Sequence, residues 1–347
     1  MQRRYITVDV FTDRAFGGNQ LAVVLDAGGL TTQQMQAIAT EFNYSETTFV
    51  LPPRDRANDA EVRIFTPVLE IAFAGHPNVG TAFVLASMAK ELKPRLLFEE
   101  KAGLVPVEIV REQGRVVRTE LTAPQPLARL SQLSAAEAAS CVSLGADDIR
   151  VDSHAPQIVS VGNAFLVMEL HSREALKRAR PDAAAYGKVL PRDGARSVWF
   201  YTRDVPPAEA PCDRQARMFM RGASGLVEDP ATGSATVAAA ALFADLDPTR
   251  DGESKLTVGQ GFDMGRPSIL RTRVRKQDGK ITSAHVGGSC VQMMEGTFRL
   301  PGRGELSPRA KTSSRQIRHP EVRALASLEG CTAEMLHRGT PSSFEGR

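Results

Sequence analysis

The sequence predicts an α+β protein of two similar halves, each a set of strands wrapped around one buried helix. Two observations predict it. Two helical segments, one from Gly75 to near Ala89 and one following Asp229-Pro230 to near Ala244, are small-to-apolar on nearly all sides. A helix without a polar face has to be buried all round. The chain also repeats itself at about half its length. Arg63-Ile64-Phe65 precedes Gly80-Thr81-Ala82 as Arg217-Met218-Phe219 precedes Gly233-Ser234-Ala235. Upstream, Gly18-Asn19 with Ala22-Val23-Val24 is echoed by Gly162-Asn163 with Phe165-Leu166-Val167.

The elements follow in order. Residues 5–10 alternate Tyr5, Thr7, Asp9 against Ile6, Val8, Val10, as a half-buried strand does. Gly17-Gly18-Asn19 turns the chain into a second strand, LAVVL. Thr31 or Thr32 caps a helix through Glu41, with Met35, Ile38, Ala39 and Phe42 on its apolar face. Asn43-Tyr44-Ser45-Glu46 breaks that helix, TTFVL is the next strand, and EVRIFTP the one after a polar segment. A glycine-rich strand over Val286–Met294 leads to the end of the core at Thr297–Pro301. Residues 1–125 are read as the first lobe, with the last strands of the chain returning to it, and 126–301 as the second. Residues 302–347, rich in Arg, Ser, Gly and Pro, are read as a poorly packed or disordered extension.

Composition excludes several classes. Hydrophobic content of 42% and charged content of 24% suit a globular chain, and its 347 residues suffice for two domains. No run reaches the ~18–20 apolar residues of a membrane span. The first residues lack the apolar core of a signal peptide, so a cytoplasmic location is expected. The formal charge is +3, but residues 302–347 alone carry eight basic and five acidic residues. The rest is formally neutral, which leaves no footprint for nucleic acid. Cys141, Cys212, Cys290 and Cys331 form no CxxC pair, and the histidines show no ligand spacing, so neither disulfide nor metal site is expected.

Three segments carry chemistry. In Ala74-Gly75-His76-Pro77-Asn78-Val79-Gly80-Thr81, glycines let backbone approach a ligand, and the N–H groups of the following helix attract anions. Thr81 stands where a P-loop needs Lys, so nucleotide is not expected. His76 reads equally as a hydrogen-bonding acid/base and as a helix cap. In Glu228-Asp229-Pro230-Ala231-Thr232-Gly233-Ser234, Asp229 reads equally as a cap and as a site residue. The repeat would set this helix N-terminus opposite the first, and two positive ends facing one cleft suit a small carboxylate. In Ser45-Glu46-Thr47-Thr48-Phe49, Glu46 is either an exposed loop residue or, desolvated beside Phe49, a carboxyl of raised pKa able to trade protons near neutrality. There is no GxSxG elbow, and Gly259-Gln260-Gly261 lacks a third glycine in place, so no nicotinamide or flavin site is indicated.

Together these segments resemble the PhzF-like family of phenazine biosynthesis, over residues 5–301. The anchors are Asn19–Val24, SETTF at Ser45–Phe49, GHPxxGTA at Gly75–Ala82, EDPATGSA at Glu228–Ala235, QGxxxGRPS at Gln260–Ser268, and Gly287-Gly288. The resemblance implies a diaminopimelate epimerase-like fold: two lobes, each a curled, mostly antiparallel sheet around a central helix, with the site between them. Those epimerases place a cysteine at each helix entrance; this chain has Ala74 and Thr232 there, so two-thiol racemisation is not expected. The resemblance implies instead that Glu46 removes a proton from an sp3 carbon and returns it elsewhere on the same face, moving a double bond without a cofactor. It further implies that His76 and Asp229 orient substrate polar groups. Ser234 and the N–H groups of Gly75 and Gly233 would hold a carboxylate, with Ser45, Gly265 and Ser268 completing the substrate site, in a homodimer. A racemase with another acid/base pair, or a non-catalytic binding protein, are the competing readings.

Overall fold

The computed structural model describes residues 2–207, 212–222 and 225–300. The extension expected over residues 302–347 lies outside the described residues. Among the described residues, nineteen strands form one hydrogen-bonded mixed sheet system, accompanied by six α-helices. These are α1 (Thr32–Phe42), α2 (Gly75–Met88), α3 (Ala135–Ser140), α4 (Arg173–Arg178), α5 (Ala183–Val189) and α6 (Gly233–Leu246). None is long and apolar enough to cross a membrane.

Strand pairing follows one scheme twice. Gln2–Val10 pairs antiparallel with Asn19–Val24, which runs parallel to Glu46–Leu51, which pairs antiparallel with Ala60–Phe65. That strand pairs with the short Glu70–Ile71 and runs parallel to Arg95–Glu100, followed by the antiparallel strands Gly103–Glu112 and Arg115–Thr122. Gln157–Ser160, Ala164–Leu170, Ser197–Thr202, Arg214–Gly222, Gly225–Glu228, Gly252–Gln260, Ser268–Gln277 and Lys280–Gly288 repeat the same sequence of antiparallel and parallel pairings. The halves join where Arg115–Thr122 meets Lys280–Gly288. Ala128–Gln132 pairs with Gln157–Ser160 within the second half, which also lends a strand to the first, Cys290–Arg299 pairing with Gln2–Val10.

The sequence repeat has a physical counterpart. Arg63 makes a two-pronged bond to Glu70 (2.7 and 2.8 Å), and Arg217 makes the same bond to Glu228 (2.8 and 2.7 Å). In each half this fork ties a central strand to the hairpin strand that feeds the following helix. Helix α2 buries Gly75 through Ala82 without a gap, and α6 buries a run from Ala235 to Leu242. Both contribute to one apolar core with strand residues such as Val8, Val10, Leu21, Val258 and Val286. A Cβ on Gly80 would lie 2.6 Å from Leu21 and 2.7 Å from Val10, so only glycine lets α2 lie this close to the first two strands.

Local signals behave as their chemistry demands. Thr31 and Gln34 form a reciprocal capping box at the start of α1, and Asn43 ends it in the left-handed conformation (φ 53°). The expected single strand over Val286–Met294 is corrected. It is two strands, Lys280–Gly288 and Cys290–Arg299, parted at Ser289, whose carbonyl accepts from the Thr12 N–H instead of a sheet neighbour. The break sends the chain from the junction of the halves to the first strand.

Candidate active site

The starts of α2 and α6 touch. A Cβ on Gly75 would lie 3.1 Å from the Ser234 nitrogen and 3.5 Å from the Gly233 Cα. Their N-cap residues, Ala74 and Thr232, make no side-chain cap bond. Two helix N-termini, each with orphan N–H groups and the positive end of its dipole, therefore face one place. Neither His76 nor Asp229 is a helix cap. His76 is the second residue of α2, and the Asp229 carboxylate accepts from the Asn19 amide (2.9 Å) and the Thr232 hydroxyl.

Glu46 enters this place from the other side. Once Asn43 has ended α1, Ser45 anchors the chain by donating to Asn19 Oδ1 (2.9 Å), and Glu46 opens the strand beside Leu21. Its Oε2 lies 3.5 Å from His76 Nε2. Both atoms are buried and have no hydrogen-bond partner. Burial first, then the Asp229 charge, pushes the Glu46 carboxyl up to about 8, against the Ser45 hydroxyl, which favours the ionised form. Burial holds His76 down at about 3, opposed by its bond to the Gln20 carbonyl. At neutral pH the contact thus joins two uncharged groups and is no ion pair. Phe49 does not cause the shift. Three residues along a strand it points to the opposite face, packs edge-on against Phe65 (5.3 Å) and joins the α1 cluster. The Glu46 face carries Thr48, whose hydroxyl meets that of Thr81 on α2 (2.8 Å).

Three residues outside the expected set hold the site together. Asn19 is buried, and its amide has two hydrogens; Asp229 Oδ1 (2.9 Å) and the Ala231 carbonyl (3.0 Å) take both. The same amide nitrogen also approaches His76 Nδ1 at 3.4 Å. Gln260 donates to the Asp229 carbonyl (2.8 Å) and the Thr232 hydroxyl (3.1 Å), and its Oε1 accepts from the Thr232 N–H (3.3 Å). Arg266 binds the carbonyls of Gly17 (2.6 Å) and Gly18 (2.8 Å) and the Asp9 carboxylate (2.7 Å), pinning the loop that ends in Asn19. The repeated Gly-Asn turn was a signal for Asn19; Gln260 and Arg266 lay inside a motif without a distinguishing mark of their own. Asp229 itself is pushed up to about 6, by burial and Glu228, against its bonds from Thr232 and Asn19.

The other expected residues divide. Gly75, Gly233 and Ser234 are gathered at the helix starts, and Ser45 is linked to Asp229 through Asn19. Ser234 also lines a small cavity with Phe73, Leu121, Val161, Asn163 and Val237. Gly265 is exposed at a tight turn (φ 72°), and the buried Ser268 hydroxyl donates to the Arg266 carbonyl within that turn.

Residues 8–296 match the profile of the phenazine biosynthesis-like protein family (PhzC-PhzF). The chain is 39% identical to an uncharacterized isomerase of Mesorhizobium japonicum, covering 85% of this chain and 98% of the relative. It is 35% identical to the trans-2,3-dihydro-3-hydroxyanthranilate isomerase of Pseudomonas chlororaphis, covering 85% and 99%. The crystal structure of a PhzF-family phenazine biosynthesis protein of Bacillus anthracis superposes with a TM-score of 0.76 at 26% identity, covering 86% of this chain and all of that one. The fold and the opposed helix starts thus define an α+β protein of the PhzF type. The chain belongs to the phenazine biosynthesis-like family.

Proposed function

We propose that the protein is an isomerase that moves a proton and a double bond on a small carboxylated substrate, with Glu46 as the acid/base and no cofactor. The observation that carries this reading is the buried, unpartnered Glu46–His76 contact beside two opposed helix starts. A carboxyl near pKa 8 is ionised in roughly one molecule in ten at pH 7, and both its forms are accessible, which suits a group that takes and returns one proton. Ionised Glu46 takes the proton from an sp3 carbon; that C–H pair becomes part of a shifted π-system; the proton goes back to its far carbon from the same carboxyl. No atom is gained or lost. The N–H groups of Gly75, Gly233 and Ser234 receive the substrate carboxylate or developing enolate. His76 Nε2 accepts the Glu46 proton's hydrogen bond, and Asp229 takes a substrate amine or hydroxyl.

The names of the relatives support the reaction class, and the Pseudomonas chlororaphis name supports a cyclic amino-carboxylate as the first substrate to try. The twice-used pairing scheme supports a two-lobed division at residue 125, with α2 and α6 as the centres. Homodimer assembly and a cytoplasmic location go with the same reading.

The test is exchange in D₂O with a panel of amino- and hydroxy-carboxylates, including trans-2,3-dihydro-3-hydroxyanthranilate, followed by NMR with Glu46→Gln alongside. Deuterium incorporation or double-bond migration lost in the variant is the expected result. Exchange that persists in Glu46→Gln removes Glu46 from the role.

A further inference from the structure

The repeat gives the residues around Glu46 counterparts in the second half. Asn19 and Asn163 follow the matched Gly18 and Gly162. Two residues after Asn19, Leu21 lies beside Glu46; two residues after Asn163, Phe165 lies beside Ser197, one step before the Leu166–Val198 pair. Ser197 therefore stands where Glu46 stands. His76 and Ser234 are each the second residue of their helix. Counting back from the same helix starts, Phe73 matches Ala231 and Ile71 matches Asp229.

The two sets differ in chemistry. The first holds two carboxyls and an imidazole. The second holds two hydroxyls and Ile71, none of which titrates near neutrality, so it supplies no base of its own. They differ in packing as well. Asn19 is buried and gives its amide hydrogens to Asp229 and the Ala231 carbonyl. Asn163 has only Ile71 at the place matching Asp229. It is exposed, and its amide bonds to nothing among the described residues.

The second set opens on a cavity. Asn163, Ser234 and Phe73 line it with Leu121, Val161 and Val237, and no lining residue is charged. Ser234 connects it to the meeting point of the helix starts, where the Ser234 nitrogen faces Gly75. A charged group in such a lining would lose its solvation without gaining a partner. A carbon skeleton would not, and a hydroxyl on it would find the free amide.

We propose that this cavity is a specificity subsite, which takes the uncharged end of a small cyclic substrate and reads a ring hydroxyl through the Asn163 amide. The carboxylate and the reacting carbons then stay between the helix starts and Glu46. The proposal deepens the functional reading and rests on it for the orientation of the substrate, but not for the cavity or the free amide.

The test is binding of two aromatic probes, 3-hydroxyanthranilate and anthranilate, to the full-length protein. They differ in one hydroxyl, and neither has an sp3 carbon for Glu46 to act on. Calorimetry gives their Kd values, and ¹⁵N NMR follows the Asn163 amide signals, assigned by their loss in Asn163→Ala. The side chain is exposed and unbonded, so Asn163→Ala is expected to melt with the parent. The parent is expected to bind 3-hydroxyanthranilate about five- to tenfold more tightly than anthranilate, the worth of one ordinary hydrogen bond. Only 3-hydroxyanthranilate should shift the Asn163 signals. Asn163→Ala is expected to lose the preference and to bind anthranilate as before. Equal affinities in the parent, or a preference that survives in Asn163→Ala, overturn the proposal. Binding of neither probe overturns it too, since the cavity is then closed to a hydroxylated ring of this size. A failure of the Glu46 reading would show as exchange persisting in Glu46→Gln and leave these affinities as they are.

Discussion

Glu46 and His76 face each other at 3.5 Å through two atoms that bond to nothing else. Two groups that ordinarily carry opposite charges are both held neutral here, because each is buried before it is paired.

That arrangement has a pH signature. The folded pKa of Glu46 is raised, so its protonated form is fully compatible with folding below the unfolded value near 4.5, and stability is lost as pH rises through about 8. Glu46→Gln removes this loss. Its melting temperature is expected to match the parent at about pH 5 and to exceed it at about pH 8.5, by on the order of 3–5 kcal/mol in unfolding free energy. Equal melting curves at the higher pH would show that Glu46 is not held protonated. His76 has the opposite sign: with its pKa lowered to about 3, it contributes a loss only as pH falls below its unfolded value near 6.5.

The helix starts allow a steric test. Ala at Gly75 meets the Ser234 backbone nitrogen at 3.1 Å, whereas Ala at Gly233 meets the edge of the Phe11 ring at 3.1 Å. A ring tilts; a helix backbone does not without moving the helix. Gly75→Ala is expected to cost about 1–3 kcal/mol and most of the exchange activity, Gly233→Ala less of both. Thermal melts and exchange rates of the two variants decide it.

Asn19→Leu leaves Asp229, the Ala231 carbonyl and the Ser45 hydroxyl each short of a partner. We expect a loss of about 2–4 kcal/mol in denaturant unfolding. Asn19→Asp would set a second carboxylate against Asp229, so its stability is expected to fall further as pH rises above about 6, where Asp229 ionises.

How much of this was legible in the sequence follows from range. Helices α2 and α6 were legible because their lack of a polar face is written in consecutive residues, and α1 because Thr31 and Asn43 mark its ends. The motifs named Glu46, His76 and Asp229, which the fold brings together, but their electrostatics were not legible. Phe49 was the adjacent apolar residue, yet strand geometry turns it away, and burial between the helix starts takes its place. Asn19 meets Asp229 across 210 positions, and Arg266 meets Asp9 across 257. Such contacts leave no local periodicity to read.

The matched arginine forks make unequal partners. Arg217 is 7% exposed in its side chain and also donates to the Leu176 (2.8 Å) and Ala179 (3.0 Å) carbonyls. Glu70 keeps Lys101 at 2.6 Å if Arg63 is removed, while no second cation of that kind is paired with Glu228 among the described residues. Arg217→Met is expected to cost about 3–5 kcal/mol, as for a buried charge left alone. Arg63→Met should cost about 1–2 kcal/mol, nearer the value of a partly exposed pair. Chemical denaturation of both variants compares them directly.

The strand that the second half lends to the first sets an order of events during synthesis. Cys290–Arg299 reaches back to Gln2–Val10, so a strand made early waits for one made much later. Until then the row of N–H and C=O groups along Gln2–Val10 stands open on a nascent chain, a template for mispairing with any other strand nearby. The native sheet is closed late and over long sequence separations, which favours slow folding. The half containing Glu46 and His76 therefore acquires its full set of neighbouring strands only after the other half has been made.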